Sequence, residues 1–333
     1  MGIVGIVVNP WAGKDVRRLH APVGHTPDTA KVGIVRRVAS AAIETGAEHV
    51  VVARDTGRIG ERAIAGVDGS ELLDGPGTGS ALDTRRAAAQ FAELGCSVVV
   101  ALGGDGTCRD VAIGWRAAPL IAMSTGTNNV FPAMVDATSA GTAAGLIASG
   151  AIAAVAASRP SKVLDVTITD ADGTTATDLA LVDVALIDAG HTGARAVVRA
   201  DSIRAVVAAM AAPASTGLSS IAGRLHPLQR YEPGAVVVRL GAHGRRVRAP
   251  IMPGHFDTLT VTCVEHVGDG VPVQLDGPGV LAFDGERDRL LGGGATATVT
   301  ARRDGPLLVE VSDMLMCAAQ FGLFDDPEAD DGP

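Results

Sequence analysis

Aromatic side chains are scarce in this chain, at 3% of its residues, with one tyrosine and two tryptophans. Any core must be built from Ala, Val, Leu and Ile, and an apolar share of 47% is ample for that. Lysine is confined to Lys14, Lys31 and Lys162, and arginine supplies every other basic residue. No basic stretch is interleaved with aromatics, and the formal charge is −9. A nucleic-acid partner is therefore disfavoured, because phosphate neutralisation needs clustered Lys or Arg. The four cysteines, Cys96, Cys108, Cys263 and Cys317, form no C-x-x-C pair. That excludes a zinc ribbon or a disulfide framework by spacing and favours a reducing, cytoplasmic compartment. The first residues lack a basic n-region and their apolar run is strand-length, so they read as a strand rather than a secretion signal. One uncharged run, residues 137–158, is long enough to span a bilayer. It is mostly Ala, Gly, Ser and Thr, with few side chains that favour insertion, so it reads as a packed helix ending near Gly150 and a second short element. No membrane partner is expected.

With 333 residues the chain exceeds what one compact core usually takes, and two domains are expected. The first half alternates strand and helix signals. Strand-like runs at 2–8, 49–53, 97–102 and 119–124 are separated by helical periodicity at 26–46, 83–95 and from about Thr107. Such alternation argues for a doubly wound, mostly parallel sheet with helices on both faces. The Gly-rich stretch 67–83 reads as a surface loop, and Asp83 as the N-cap of the helix after it. Beyond residue 160 short alternating strands are divided by Gly, Pro and Asp turns, the pattern of a β-rich, sandwich-like domain. Within it, SIRAVVAAMAA (residues 202–212) reads as an inserted helix. The expected division is 1–158, 159–312, and a segment 313–333 that returns to the first domain and ends in a frayed acidic tail.

The chemistry concentrates at turns. VVVALGGDGTCRDV (residues 98–111) ends a buried strand with Gly103, Gly104, Asp105, Gly106 and Thr107. At the carboxyl end of a parallel strand, such glycines let backbone N–H groups approach a phosphate, and the following helix N-terminus favours an anion. Thr107 can cap that helix or bond a phosphate oxygen. Asp105 suits taking a proton from a hydroxyl or helping to hold Mg²⁺, and it equally suits a plain helix N-cap. STGTNNVFP follows the next strand and offers Thr125, Gly126, Thr127, Asn128 and Asn129 to the same edge. At the first strand's end NPWAGKD supplies Asn9 and Lys14, a hydrogen-bonding amide and a counter-charge. Neither a Walker A loop nor the G-x-G-x-x-G fingerprint is present there. In the second half FDGERDR places Asp284 and Glu286 around a glycine. They are candidates for Mg²⁺ binding or for a base, and the same three residues are ordinary turn chemistry. The histidines show no metal-ligand spacing, and no direct metal motif is expected.

GGDGT, a later GTNN turn, a first strand ending in NP and a late DGE together resemble the NAD kinase and diacylglycerol kinase superfamily. The opening GIVVNPWAGKDVRRL with STGTNNVFP is similar, more narrowly, to the NAD-kinase-like branch known as acetoin catabolism protein X. The matching motifs cover residues 1–17, 98–132 and 280–289. The resemblance implies an N-terminal α/β domain, a C-terminal β-rich domain, ATP and Mg²⁺ in the cleft between them, and phosphoryl transfer to a hydroxyl. By that resemblance Asp105 matches the aspartate that activates the NAD ribose hydroxyl, while Asp284 or Glu286 matches the base of the lipid-kinase branch. The Asn-Glu pair that reads adenine in NAD kinases has no counterpart beyond Val182 and Asp183 in LVDVAL. Residues 190–197 stand where their Thr-Pro-Thr-Gly-Ser-Thr stretch would fall. The expected function is thus a small-molecule kinase, with NAD(H) to NADP(H) first. A kinase of another hydroxylated metabolite linked to acetoin breakdown, or a nucleotide-binding regulator without turnover, stands beside it. Homo-oligomers are common in the superfamily.

Overall fold

The computed structural model of the chain describes residues 2–13, 26–126, 129–189 and 200–325. In the first half β1 (Ile3–Val8), α1 (Asp28–Glu44), β2 (His49–Val52), α2 (Ile59–Ile64) and β3 (Ser70–Leu72) follow one another. Then come α3 (Ala81–Glu93), β4 (Val98–Gly103), α4 (Asp105–Gly114), β5 (Pro119–Ser124) and α5 (Ala137–Ala148). The strands lie parallel in the order β3-β2-β1-β4-β5. β1 and β4 are near-continuous runs of Val, Ile, Leu, Ala and Gly, as a strand covered on both faces requires, and Val4 pairs with Val98 and Val8 with Leu102. α1 and α5 cover one face, α3 and α4 the other.

The uncharged run 137–158 resolves into α5 and a 3₁₀ turn at Ala154–Ala157. Asp136 caps α5, its carboxylate accepting the Thr138 and Ser139 N–H groups at 2.8 and 3.1 Å. Small residues let α5 lie close on α1: a Cβ on Gly141 would fall 2.4 Å from the Val38 carbonyl oxygen. Among the described residues no helix is long and apolar enough to cross a membrane.

The second half contains β6 (Ser158–Pro160), β7 (Val163–Thr169), β8 (Thr175–Ala180), β9 (Asp183–Ile187), β10 (Ile203–Ala208), α6 (Leu218–Gly223), β11 (Ala235–Met252) and β12 (His255–Val267). β13 (Pro272–Asp276), β14 (Gly279–Phe283), β15 (Glu286–Leu291), β16 (Thr296–Arg302), β17 (Leu307–Val309) and α7 (Val311–Gln320) complete it. Six strands, β12-β11-β10-β9-β14-β15, face four, β13-β16-β7-β8, across a core of Leu164, Val166, Leu186, Val207, Leu281 and Phe283. Both sheets are antiparallel, which makes this half a sandwich. The chain then returns: β17 pairs with β5 and β6 on the first sheet, and Met314 and Ala318 of α7 join the α1–α5 core.

Three local expectations differ from the structure. Residues 203–208 form β10 rather than a helix, because this Ala- and Val-rich run lies at the centre of its sheet with both faces buried. The Gly-rich stretch 67–83 contains the edge strand β3. Asp83 lies inside the first turn of α3, and its carboxylate accepts the Gly79 N–H at 2.6 Å rather than capping the helix itself.

Candidate functional site

β1 has β2 on one side and β4 on the other, so the chain order reverses between β1 and β4. Their carboxyl ends therefore flank the crevice where doubly wound sheets bind ligands. Asn9 leaves β1 there. Its backbone N–H donates to the Leu102 carbonyl at 3.0 Å. Its side chain donates to Thr107 Oγ1 at 2.9 Å and accepts the Trp11 N–H at 2.9 Å. Asn9 is thus a joint between the first turn and GGDGT. Thr107 is 3% exposed and its hydroxyl oxygen accepts at that joint. Beneath the turn the fully buried Lys31 donates to the carbonyls of Asn9 and Pro10 at 3.2 and 2.8 Å.

The glycines divide by role. A Cβ on Gly103 would fall 2.3 Å from Thr107 Oγ1, and one on Gly104 would fall 2.8 Å from Asn129 Oδ1. Both are dictated by packing. A Cβ on Gly106 would meet nothing within 4 Å among the described residues, so this face of the α4 N-terminus is open. The second turn lies alongside. Thr125 N–H donates to the Gly103 carbonyl at 3.3 Å, and Asn129 Nδ2 donates to Ser124 Oγ at 2.8 Å. Thr125 Oγ1 is buried without a hydrogen-bond partner among the described residues. Gly126 approaches Gly13 of the first turn, where a Cβ on Gly126 would lie 3.7 Å from the Gly13 nitrogen. Lys14, Thr127, Asn128 and residues 190–197 lie outside the described residues.

Asp105 starts α4, and its carboxylate reaches across to the second turn. Oδ1 accepts the Val130 and Phe131 N–H groups at 3.0 and 2.8 Å, and Oδ2 lies 3.2 Å from the Val130 nitrogen. The lone carboxylate of GGDGT therefore holds Val130 and Phe131, just after the GTNN turn, in place.

The late D-G-E is a two-residue hairpin between β14 and β15, with Phe283 paired to Glu286. Asp284 and Gly285 have φ of 50° and 79°, the left-handed pair that a type I′ turn requires. The Asp284 carboxylate is buried and accepts N–H groups from Leu181 (3.1 Å), Val182 (2.8 Å) and Asp183 (3.2 Å). Burial pushes its carboxyl up to about 6, against the opposing pull of Arg109 and those three N–H groups. The role of base does not suit Asp284: its oxygens clamp the 181–183 backbone in the interior. Asp183, the position nearest the adenine-reading pair, is itself buried and belongs to the same clamp, its carbonyl accepting the Asp284 N–H at 2.9 Å. Glu286 alone of the three carboxylates is exposed. Its charge bears on Asp110 of α4, whose carboxyl is driven up to about 6 mainly by burial, with Arg85 pulling the other way. Among the described residues, no three His, Cys, Asp or Glu side chains gather to hold a metal.

Three cations were not singled out in the sequence. Arg109, buried on α4, donates to the Leu179 carbonyl at 2.6 Å and Asp178 at 2.7 Å, and stacks 4.7 Å from the Phe283 ring centroid. Lys31 continues the buried stripe of Val35, Val38, Ala39 and Ala42 along α1, and that helical spacing was its available signal. Arg230, in the sandwich half, donates to the Phe131 carbonyl at 2.7 Å across 99 residues of sequence, which no local pattern announces.

A parallel sheet feeding an antiparallel sandwich, with GGDGT at the switch point, is the NAD kinase fold. Residues 4–152 match the ATP-NAD kinase N-terminal domain, and residues 162–304 match the acetoin catabolism protein X C-terminal domain. The chain belongs to the acetoin catabolism protein X family. It is 36% identical over 314 residues to acetoin catabolism protein X of Cupriavidus necator, covering 90% of this chain and 87% of that relative. Among solved structures, yeast NADH kinase complexed with NADH superposes with a TM-score of 0.53 at 14% identity, covering 98% of this chain and 88% of that one.

Proposed function

We propose that the protein is an ATP-dependent phosphotransferase that phosphorylates a hydroxyl of a small molecule, with NAD(H) as the first acceptor to test. The observation that carries the reading is an open face at Gly106 together with a buried Thr125 hydroxyl, unbonded among the described residues, on two turns joined by the Thr125 N–H to Gly103 carbonyl hydrogen bond. Phosphate oxygens would satisfy that hydroxyl and the N–H groups of the first α4 turn, where the helix dipole also favours negative charge. Gly103, Gly104 and Gly126 bring their backbones to the same edge, and Asn9 and Asn129 add polar side chains there. A cavity of about 240 Å³ at the adjoining ends of β2 and β3 is lined by Ala53, Leu73 and Pro76 together with the charged Arg54, Asp74 and Arg86, a mixed lining that a nucleoside could use.

Mg²⁺ bound with ATP would offset the phosphate charge, held chiefly by the phosphate oxygens. The proton of the acceptor hydroxyl goes to Glu286 in this reading, because Asp284 is enclosed and Asp105 is occupied with the turn. Loss of a general base typically costs ~10²–10⁴ in rate. Glu286→Gln should therefore retain ATP binding and lose turnover, whereas Asp105→Asn should weaken binding as well. The test is product analysis after incubation with Mg²⁺-ATP and a panel of acceptors. NADP from NAD supports the leading reading. ADP that appears only with hydroxylated metabolites related to acetoin directs the same chemistry to another acceptor, consistent with the name of the Cupriavidus necator relative. Turnover with Glu286→Gln at the wild-type rate contradicts the assignment of the base.

A second reading has its own support. Two of the three carboxylates hold backbone, as pure binding allows, so a nucleotide-binding regulator predicts ATP affinity without ADP release under any acceptor.

A further inference from the structure

The Val130–Phe131 segment is gripped from both sides. Its N–H groups are taken by Asp105 of the first domain, and its carbonyls by Arg230 of the sandwich half, at 3.3 Å for Val130 and 2.7 Å for Phe131. The Arg230 guanidinium also lies 5.2 Å from the Phe131 ring centroid. One terminal nitrogen, Nη2, reaches both carbonyls, closely at Phe131 and more loosely at Val130, and with the guanidinium over the Phe131 ring it fixes this end of the turn in place.

Arg230 is itself held rigidly. It sits in the segment 228–234, which is fastened at each end. Leu228 exchanges backbone hydrogen bonds with Ala211 at 3.0 and 3.1 Å. Lys162, 2% exposed, donates to the Gln229 and Gly234 carbonyls at 3.2 and 3.3 Å. The Gln229 N–H donates to Glu232 at 2.6 Å, the Gly234 N–H donates to Asp269 at 2.7 Å, and Tyr231 donates to Glu310. Burying a lysine so that its ammonium closes a short loop is costly, and desolvation lowers its pKa to about 8. The segment is built as a buckle, and Arg230 projects from it to the first domain's second turn.

We propose that Arg230 is a positioning residue: it holds Val130 and Phe131, the far end of the second turn, against Asp105 of GGDGT, so the phosphate site is complete only when the sandwich half is docked. This rests on the phosphotransferase reading for its ligand, and on geometry alone for the hold on the turn. Acting through the Val130–Phe131 backbone, Arg230 bears on binding, so its loss should raise the KM and Kd for Mg²⁺-ATP by about tenfold or more while kcat changes little.

The test uses the full chain as wild type, Arg230→Ala and Arg230→Lys. Mg²⁺-ATP affinity is measured by calorimetry, with and without added guanidinium ion, and amide hydrogen exchange is followed at Val130 and Phe131. Weakened ATP binding by Arg230→Ala, partial rescue by guanidinium, an intermediate effect of the lysine variant and faster exchange at those two amides are expected. Unchanged ATP affinity in both variants overturns the proposal. Should Arg230→Ala fail to fold, Arg230→Lys and its exchange rates decide instead. If the wild type binds no ATP, the phosphotransferase reading fails on its own, and equal exchange at Val130 and Phe131 in wild type and variant then overturns the hold.

Discussion

Carboxylates at this site do two different things, and the difference lies in what surrounds each one. Asp284 sits inside the protein with three backbone N–H groups for company, and its folded pKa of about 6 is above its ordinary value of 3.8. A carboxyl raised in the folded state contributes stability that is full below its unfolded pKa and is lost as pH rises through the folded one. In Asp284→Asn that dependence vanishes, and one of the two acceptor oxygens facing the 181–183 backbone becomes a donor NH2. The stability cost of the substitution should therefore grow by about 1 kcal/mol between pH 7 and pH 5. Urea unfolding of both proteins at the two pH values checks it, and a cost that shrinks toward pH 5 would contradict the buried, charge-penalised carboxyl. The residue types at the site were legible in the sequence, since GGDGT and GTNN do meet at one edge. The partners were not. Whether Asp105 faces solvent or the Val130 N–H depends on how two turns 25 residues apart are juxtaposed, and no spacing rule carries that.

At the scale of elements the first half was readable because β1, β2, β4 and β5 are short apolar runs and α1 and α3 carry their own stops. Gly46, at φ 107°, follows α1, and Gly95, at φ 69°, follows α3. β10 was misread for a physical reason. A central strand buried on both faces loses the alternation that marks a strand, and its alanines carry high helix propensity. The α1–α5 contact accounts for the Ala- and Gly-rich composition of α5. Gly141→Ala would drive a methyl against the Val38 carbonyl and part the helices. A loss of about 1–3 kcal/mol is expected despite the gain in helix propensity, read as a lowered urea midpoint with ATP affinity unchanged.

Across the whole molecule the two halves are joined by apolar packing and by charge. Phe131, Leu179, Leu181 and Val182 share one core with Ala87, Phe91 and Val111. Arg116 of the first half binds Asp165 through both guanidinium nitrogens, at 2.8 and 3.0 Å, and Asp304 at 2.7 Å, while Arg302 adds a contact to Asp165 at 3.0 Å. This network is half exposed, so Arg116→Ala should cost only about 1 kcal/mol, and less at high salt, in urea unfolding at two ionic strengths.

The central claim is that phosphate meets the backbone at the β1–β4 switch point, and Gly106 tests it with least disturbance. Its added methyl has open space in the folded protein and suits a helix, so Gly106→Ala should unfold at the same temperature or slightly higher. That methyl would stand where phosphate oxygens approach. The measurement is the Mg²⁺-ATP dissociation constant of wild type and Gly106→Ala by calorimetry. Binding by the wild type that weakens at least about tenfold in the variant, a change of about 1.4 kcal/mol, is the predicted result. Equal affinity in the two proteins would place the nucleotide elsewhere and contradict the account.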